Sequence, residues 1–181
     1  ERLLEEVSSR PGGALGEACR ETLLAGGKRL RPMMVFLSCR SGASAAAADV
    51  TAAAAAVELV HMATLIHDDV IDAASLRRGR PTLVATRGEA ASAAAGDYLF
   101  AAAFDLLAST GATAAVSLLA GASLGLSRGE LLQMEAAWDY GLGEDAYLKR
   151  CRLKTAGLFD AACRLGAHYS GCPPATVQAM G

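Results

Sequence analysis

The pattern of apolar and polar positions predicts a chain built almost entirely of helices. Between Asp49 and Asp72 the helical pattern is continuous. One stripe of this helix holds, at helical spacing, Val57, Val60, Thr64 and Asp68. The same periodicity predicts further helices over residues 14–25, 32–40, 89–108, 112–138 and 144–169. No segment alternates apolar and polar residues for long enough to predict a strand, so the expected fold class is all-α.

Glycine and proline mark the predicted ends of these helices. Gly26 and Gly27 stop the first helix, and Pro32 suits the first turn of the next one. Two stretches predict loops, the low-complexity run SGASAAAAD at 41–49 and the polar run AASLRRGRPT at 73–82. The last residues, GCPPATVQAMG, predict a loop leading towards a helix that the sequence does not contain. A truncated helical bundle is therefore expected.

Length and composition favour one globular domain spanning residues 1–181. Hydrophobic residues make up 52% of the chain and charged residues 20%, as is typical of a packed soluble protein. Aromatic residues are only 5%, whereas alanine and glycine are abundant. This bias favours closely packed helices, because alanine is the best helix former and strands prefer branched and aromatic residues.

Charge and cysteine usage narrow the functional classes. The formal net charge of −2 gives no basic field that would favour nucleic acid. Five scattered cysteines without a CxxC pair indicate neither a disulfide framework nor a zinc site, and favour a reducing, cytoplasmic compartment. Serine, threonine and glycine interrupt the longest uncharged run, 106–127, which therefore predicts buried helices and no transmembrane segment.

An acidic cluster near the end of the long helix is the first candidate for chemistry. LIHDDVID contains Asp68, Asp69 and Asp72. Because Asp68 and Asp72 lie one turn apart, both carboxylates can point at one place. Hard oxygen ligands without cysteine suit Mg²⁺, which keeps several waters and shares itself with substrate phosphates. The alternative for this cluster alone is a solvated helix end.

Two basic loops could bind phosphate. Their cations are Lys28, Arg29 and Arg31 in GGKRLRP, and Arg77, Arg78 and Arg80 in RRGRPT. Arginine forks bind phosphate oxygens in a bidentate manner, and lysine supplies a mobile point charge. Each loop alone has the simpler interpretation of a solvated basic segment. Together with the acids they indicate a polyphosphate held between a metal ion and arginines.

Three further polar residues are candidates for the same site. His61 lies seven residues before Asp68, on nearly the same helix face, and could donate to a phosphate. Lys154 and Thr155 interrupt an otherwise packing helix and could add a cation and a hydroxyl. The alternatives are a buried core histidine and a surface lysine.

The ordered motifs resemble those of the trans-isoprenyl diphosphate synthases. HDDVID after VELVHMATL, followed by RRGRPT, is similar to the first aspartate-rich motif of that family, closest to its longer-chain polyprenyl synthases. GGKRLRP stands upstream, and AGDYLF, GELLQM and YLKRCRLKTAGLF follow in the family's order. The likeness covers about residues 26–159. It implies a bundle of long helices around a central cavity, and a homodimer.

The resemblance assigns roles to individual residues. Asp68 and Asp72 would hold Mg²⁺ on an allylic diphosphate, with Asp69 in support. That diphosphate would contact Arg77 and Lys154, with Thr155 beside it. The diphosphate of isopentenyl diphosphate would be held by Lys28, Arg31, His61 and Arg78. Gln133 in GELLQM resembles a glutamine that lines the site.

Small residues before the acids bear on product length. In the family, a bulky aromatic five positions before the first acid closes the prenyl pocket. That position here is Ala63, with Thr64 beside it and Val60 deeper. The resemblance therefore implies a product of geranylgeranyl size or longer. Idealised helix geometry places Thr64 more squarely than Ala63 on the face of Asp68.

The chain departs from the family in one respect. The family's second aspartate-rich motif has no counterpart after Phe159, so a fragment or a reduced protein is expected. A non-catalytic or regulatory subunit is one alternative. A class I terpene cyclase would not need the GGKRLRP and RRGR cations. A histidine–aspartate phosphohydrolase could be built on His67 and Asp68, but it would need further metal-binding histidines, and only His61 and His168 remain.

Overall fold

The computed structural model describes residues 1–39 and 46–181, and it confirms the all-α prediction. Its α-helices are α1 Arg2–Ser9, α2 Gly13–Leu24, α3 Leu30–Ser38, α4 Ala47–Ile71, α5 Leu83–Arg87, α6 Glu89–Ala108, α7 Thr113–Glu135, α8 Glu144–Cys151, α9 Gly157–Tyr169 and α10 Pro174–Ala179. A π-helical turn, Arg152–Ala156, joins α8 directly to α9 and is called the π turn below.

Helix α4 is the centre of the bundle, packed against α3, α6 and α9. It is apolar on all sides, as expected for a helix surrounded by others. Its innermost positions are fully buried and include Ala53, Ala56, Val57, Leu59, Val60 and Ala63. The small alanine side chains let neighbouring helices approach closely.

The only strands in the described residues form a hairpin after α4. Strand β1, Leu76–Arg77, pairs antiparallel with β2, Arg80–Pro81. The turn residues Arg78 and Gly79 have φ of 53° and 75°. Two consecutive residues with positive φ make the tight turn that matches strand twist, and glycine adopts this conformation without strain. The predicted loop is therefore a hairpin that holds the RRGR arginines in fixed positions.

Several predicted boundaries were wrong. Helices α1 and α5 were not predicted, and the predicted helix 112–138 ends at Glu135. The predicted helix 144–169 contains the π turn. The terminal segment predicted as loop contains α10, which Pro174 starts because its missing N–H needs no partner there. Helix α4 starts at Ala47, since alanine favours helix; Arg40 and residues 41–45 of the predicted loop lie outside the described residues.

Two helices of the described chain are long and apolar enough to cross a membrane by length and composition, α4 and α6. Of their most apolar windows, 72% and 39% respectively are buried inside the protein. A core helix of a soluble protein passes the same test, so these helices are weak evidence for a membrane span.

Candidate functional site

A cleft of about 460 Å³ opens between α2, the loop after it, and α4. We call it the cation cleft; its lining residues are Thr22, Ala25, Gly26, Gly27, Lys28, Arg29, Leu30, Arg31, Glu58, His61, Met62, Leu65 and Arg78. Four of them are the residues that the sequence predicted for the isopentenyl diphosphate site. The fold therefore brings Lys28, Arg31, His61 and Arg78 together from three separate segments.

Sequence reasoning missed an ion pair in the wall of this cleft. Arg29, with a left-handed φ of 50°, donates from Nη1 to Glu58 Oε1 at 3.0 Å. It also donates from Nε to Glu1 Oε1 at 2.9 Å and from Nη2 to the Leu23 carbonyl at 3.1 Å. Glu58 is only 2% exposed. Arg29 is thus used inside the protein, and Lys28 and Arg31 on either side of it are left facing the cleft.

The other cations of the cleft differ in their partners: Arg78 donates from Nη1 to the Gly26 carbonyl, whereas Arg31 has one N–H group without a partner among the described residues. The Nε atom of Arg31 is buried and, among the described residues, has no hydrogen-bond partner. The guanidinium carbon of Arg31 lies 4.4 Å from the centre of the Phe159 ring, which fixes the side chain by a cation–π contact. Burial lowers the pKa of Arg31, and Glu58 opposes this shift. A buried, unpaired guanidinium N–H is suited to an anionic ligand.

His61 is neutral in the absence of a ligand. Burial, followed by the charges of Arg31, Arg78, Arg29 and Arg77, lowers the pKa of His61 to about 4. A neutral imidazole can still donate one hydrogen bond from its protonated nitrogen. The cleft therefore presents fixed positive charge together with one neutral donor.

A second cavity, of about 400 Å³, lies near the C-terminal end of α4. We call it the acid cavity; it is lined by Thr64, His67, Asp68, Ile71, Phe100, Leu126, Ser127, Glu130, Leu131, Met134 and Lys154. Its walls are mainly apolar, and its charged residues are Asp68, Glu130 and Lys154. An apolar cavity with a few convergent charges is a common form of small-molecule site.

Lys154 lies between two carboxylates of the acid cavity. Its Nζ atom is 3.8 Å from Asp68 Oδ2 and forms a closer ion pair with Glu130 Oε2. Burial raises the pKa of Asp68; Lys154 counteracts this shift, while Glu130 and Asp72 add to it. The predicted Asp68 and Lys154 are thus neighbours, and Glu130 is a charged partner that the sequence did not single out.

Asp69 and Arg77 form a separate pair. Arg77 donates from Nε to Asp69 Oδ1 at 2.8 Å, and its Nη2 lies equally close to the same oxygen. This hydrogen bond raises the pKa of Arg77. Asp69 is 7% exposed and lines a smaller depression of about 80 Å³ with Arg77 and Arg78. Asp69 does not line the acid cavity, and its carboxylate holds Arg77.

Asp68 and Asp72 remain as the carboxylates that could share a cation. Asp72 caps α4 in an exposed position, and its charge acts on Asp68. Among residues 1–39 and 46–181, no three histidine, cysteine or acidic residues are grouped as a ready-made metal cage. Magnesium usually takes one or two carboxylates and completes its shell with water and phosphate oxygens. Two carboxylates beside a cavity therefore fit Mg²⁺ bound together with a phosphate ligand.

The remaining predicted residues are divided between cavity, core and surface. Thr64 lines the acid cavity, whereas Val60 and Ala63 are fully buried in the core and do not line it. Gln133 is half-buried and donates from Nε2 to Glu130 Oε1 at 3.4 Å. Thr155 is exposed on the π turn and lines neither opening.

Sequence reasoning missed Glu58 of the cation cleft and Glu130 of the acid cavity, and it considered His67, which lines the acid cavity, only for a phosphohydrolase. His67 lies with Nε2 at 3.3 Å from Asp97 Oδ1, and its ring stacks on Phe100 at 5.8 Å. Glu58 interrupts an otherwise apolar helical stretch, whereas Glu130 stands among other polar residues such as Ser127 and Arg128. A charged residue on a buried helix face needs a partner, so Glu58 carried a signal that could have been used.

Comparison with known proteins finds one family of synthases. A family model described as Polyprenyl synthetase matches residues 13–181. The heptaprenyl diphosphate synthase component 2 of Geobacillus stearothermophilus is 41% identical over 180 residues, which is 99% of this chain and 56% of that protein. The nonaprenyl diphosphate synthase of Mycobacterium tuberculosis is 36% identical over 180 residues, or 99% of this chain and 53% of that protein.

Solved structures agree with these relatives. A decaprenyl diphosphate synthase from Rhodobacter capsulatus superposes with a TM-score of 0.93 and 40% identity, over 99% of this chain and 55% of that one. A polyprenyl synthase from Caulobacter crescentus, complexed with calcium and isoprenyl diphosphate, has a TM-score of 0.93 and 38% identity, over 99% of this chain and 54% of that one. The chain spans about half the length of the relatives it matches.

Proposed function

Since this chain belongs to the polyprenyl synthetase family, we propose that it carries the diphosphate-binding part of a trans-polyprenyl diphosphate synthase. The enzyme condenses isopentenyl diphosphate with an allylic prenyl diphosphate. The observation that carries the proposal is the pair of openings beside α4. The cation cleft is lined by several cations and by no pair of acids that could share a metal ion, whereas the acid cavity has mainly apolar walls.

The cation cleft suits the diphosphate of isopentenyl diphosphate. Lys28, Arg31 and Arg78 supply positive charge, and His61 supplies a neutral donor. This diphosphate does not leave during the reaction, so it needs binding and orientation. Arginine and lysine side chains on the cleft wall provide both, because their positive charges are already in the cleft before the substrate arrives.

The acid cavity suits the allylic substrate. Asp68 and Asp72 would hold Mg²⁺, which supplies positive charge to the diphosphate that departs. Lys154 stands beside Asp68 and can donate to the same diphosphate oxygens. Loss of this group leaves an allylic carbocation, the isopentenyl double bond attacks it, and a proton is lost. Stabilising the departing anion with pre-positioned cations is the chief contribution of the protein.

The walls of the acid cavity suit a prenyl tail. Thr64, Ile71, Phe100, Leu126, Leu131 and Met134 offer a mainly apolar surface. None of the α4 residues on this wall is a bulky aromatic, which supports a product of geranylgeranyl size or longer. Relatives named heptaprenyl and nonaprenyl diphosphate synthases support the same length class.

The assembly and location follow from the same proposal. We propose a homodimer in the cytoplasm, with no transmembrane segment and no nucleic-acid partner. One observation favours a second candidate for the assembly: the Geobacillus relative is named component 2 of its synthase. In that case the chain would work with another polypeptide, either as a catalytic component or as a regulatory one.

The test is Mg²⁺-dependent condensation of isopentenyl diphosphate with farnesyl diphosphate, with the products sized by mass spectrometry. A ladder that ends at a defined long prenyl diphosphate supports the proposal, and loss of the ladder on chelation supports the role of the metal. A folded protein that neither binds nor extends farnesyl diphosphate contradicts the catalytic proposal. Activity that appears only in stoichiometric mixture with a second polypeptide supports the two-component candidate.

A further inference from the structure

We propose that Glu130 is a positioning residue that holds the Lys154 ammonium group at the edge of the acid cavity, and that Gly129 makes this contact possible. The inference rests on the proposed function, because it assumes that an allylic diphosphate binds beside Asp68. It assigns a role to the glycine and the acid of GELLQM, neither of which the sequence had singled out.

The ion pairs of Lys154 are unequal. Glu130 is the nearer partner, and Asp68 lies 3.8 Å away. The Glu130 and Lys154 side chains are 14% and 24% exposed, so water screens their attraction less than it would at the surface. Charge-assisted hydrogen bonds of this kind are among the stronger polar contacts in proteins. The nearer carboxylate therefore sets the position of the amine.

Gly129 brings the two elements together. A Cβ atom at this position would lie 2.7 Å from the backbone nitrogen of Lys154 and 3.0 Å from the Cβ atom of Leu153. Only a residue without a side chain allows the π turn to lie this close to α7. Because Glu130 is next in sequence, the same close approach places its carboxylate beside the Lys154 amine.

The ion pair with Glu130 limits competition between Lys154 and a metal ion for the Asp68 carboxylate. Lysine has a flexible four-carbon stem, and an amine without a second anchor would be drawn towards Asp68, the proposed metal ligand. Glu130 holds the amine on the α7 side, which leaves Asp68 free for the cation. Lysine has three N–H donors, so an amine paired with Glu130 keeps donors for a diphosphate.

The first experiment measures the binding of farnesyl thiolodiphosphate, an unreactive allylic analogue, in the presence of Mg²⁺. We expect Glu130→Gln to weaken its affinity about tenfold, the loss typical of one charge-assisted hydrogen bond. Glu135→Gln, which removes the same negative charge at an exposed position on the same helix, is the matched control and leaves the affinity unchanged. Glu130→Asp, which keeps the charge, recovers part of the loss.

A double-variant cycle shows whether Glu130 acts through Lys154. In a Lys154→Met background, Glu130→Gln has no further effect on analogue affinity if the lysine carries the contribution of Glu130. Additive losses overturn the proposal, because they mean that Glu130 acts on the ligand or on the fold independently. A loss of Mn²⁺ affinity in Glu130→Gln, measured without the analogue, also overturns it, since Glu130 would then be a metal ligand.

A second readout needs no substrate. Acylation of lysines by a limiting amine-reactive reagent is followed by mass spectrometry, with the chain's other two lysines, Lys28 and Lys149, as internal references. We expect Lys154 to react several-fold faster in Glu130→Gln, because loss of the nearer ion-pair partner frees the amine and exposes it to the reagent. An unchanged rate overturns the positioning role. If the wild-type protein does not bind the analogue, the proposed function fails, while this readout still decides the role of Glu130.

Discussion

The cation cleft and the acid cavity lie beside the same helix but are built in opposite ways. In the cation cleft, charge is fixed by the backbone and by a buried ion pair: Arg29 has positive φ and is held by Glu58. In the acid cavity, the walls are apolar and the charges stand at one edge, where Lys154 is paired with carboxylates. One opening therefore presents an excess of positive charge, and the other presents one ammonium group beside two carboxylates.

This difference matches two ways of binding the same chemical group. A diphosphate that arrives without a metal needs cations supplied by the protein, as Lys28, Arg31 and Arg78 provide. A diphosphate that arrives with magnesium needs carboxylates for the metal and only one or two additional donors. On the proposed function, the cation cleft would attract a diphosphate without a metal, and the net negative charge of the acid cavity would favour a diphosphate bound to magnesium.

The largest expected effect concerns the proposed metal ligands beside the acid cavity. We expect Asp68→Ala in a full-length protein to lower kcat/KM by roughly a thousandfold or more, because the departing diphosphate loses its metal-borne charge. Steady-state kinetics with saturating Mg²⁺ measures this. Asp145→Ala, which removes an exposed acid of α8, is the control and changes little. Near-normal turnover of Asp68→Ala would remove Asp68 from the site.

The next effect tests the electrostatics of the cation cleft through pH. The folded-state pKa of His61 is about 4, below its ordinary value of 6.5, chiefly because of burial and Arg31. Its contribution to stability is complete above pH 6.5 and is lost as pH falls towards 4, because the unfolded state then binds a proton that the folded state does not. From about pH 7.5 to about pH 5, the contribution should fall by about 2 kcal/mol.

Urea unfolding of wild type and His61→Gln at both pH values isolates this term, since all other titrating groups are shared. The wild type should lose more stability on acidification than the variant. Equal losses would mean that the imidazole is not buried among the cleft arginines. Excess inorganic diphosphate should reduce the difference, because a bound anion offsets the arginine charges that lower the pKa of His61.

A somewhat smaller effect tests the buried ion pair. Glu58→Gln leaves the Arg29 guanidinium without its 3.0 Å carboxylate partner, and we expect a loss of about 1.5 kcal/mol in the free energy of unfolding. Equilibrium urea denaturation measures it. The double variant Arg29→Met, Glu58→Gln should recover part of the loss, because it also removes the mostly buried guanidinium that would otherwise be left with Glu1 as its carboxylate partner. A double variant less stable than the sum of the single changes would contradict this account.

Glu58 and Arg29 also show where sequence reasoning stopped. Helical periodicity was enough to predict α4, but it did not show that His61 and Asp68 serve different openings, since His61 lines the cation cleft and Asp68 lines the acid cavity. The contact between Arg29 and Glu58 joins residues 29 positions apart through a left-handed backbone. No local pattern determines such a contact, since it depends on how the loop after α2 packs against α4.

The acidic cluster at the end of α4 shows a second limit of prediction from the sequence. Three acids within five residues predicted one metal site, but adjacent residues on a helix point about 100° apart. Asp69 accordingly faces Arg77, away from the cavity that Asp68 lines. The same spacing argument, applied to Asp69 as it was to Asp72, would have separated them. Glu130 required more, because its contact with Lys154 depends on the π turn, which no sequence pattern predicted.

The two openings can be separated kinetically. We expect Arg31→Met to raise the KM for isopentenyl diphosphate about tenfold while the KM for the allylic substrate stays within about twofold. Lys154→Met should do the reverse, because Lys154 lines only the acid cavity. Initial rates with each substrate varied in turn provide the measurement. If either variant changed both KM values equally, the two openings would not be separate substrate sites.

The smallest expected effect on rate concerns the wall of the acid cavity, where Thr64 and Ala63 make different predictions. Thr64 lines the cavity, whereas Ala63 is fully buried in the core. A phenylalanine at 64 can extend into the space proposed for the prenyl tail, so Thr64→Phe should shorten the product and leave the rate of the first condensation within about threefold. A phenylalanine at 63 must displace packed helices, so Ala63→Phe should lower the free energy of unfolding by about 1 to 3 kcal/mol.

Product sizing by mass spectrometry, paired with urea denaturation of both variants, distinguishes the two positions. Thr64→Phe with an unchanged product distribution would mean that the tail does not occupy the acid cavity, and Ala63→Phe with a shortened product and normal stability would return the determinant to Ala63.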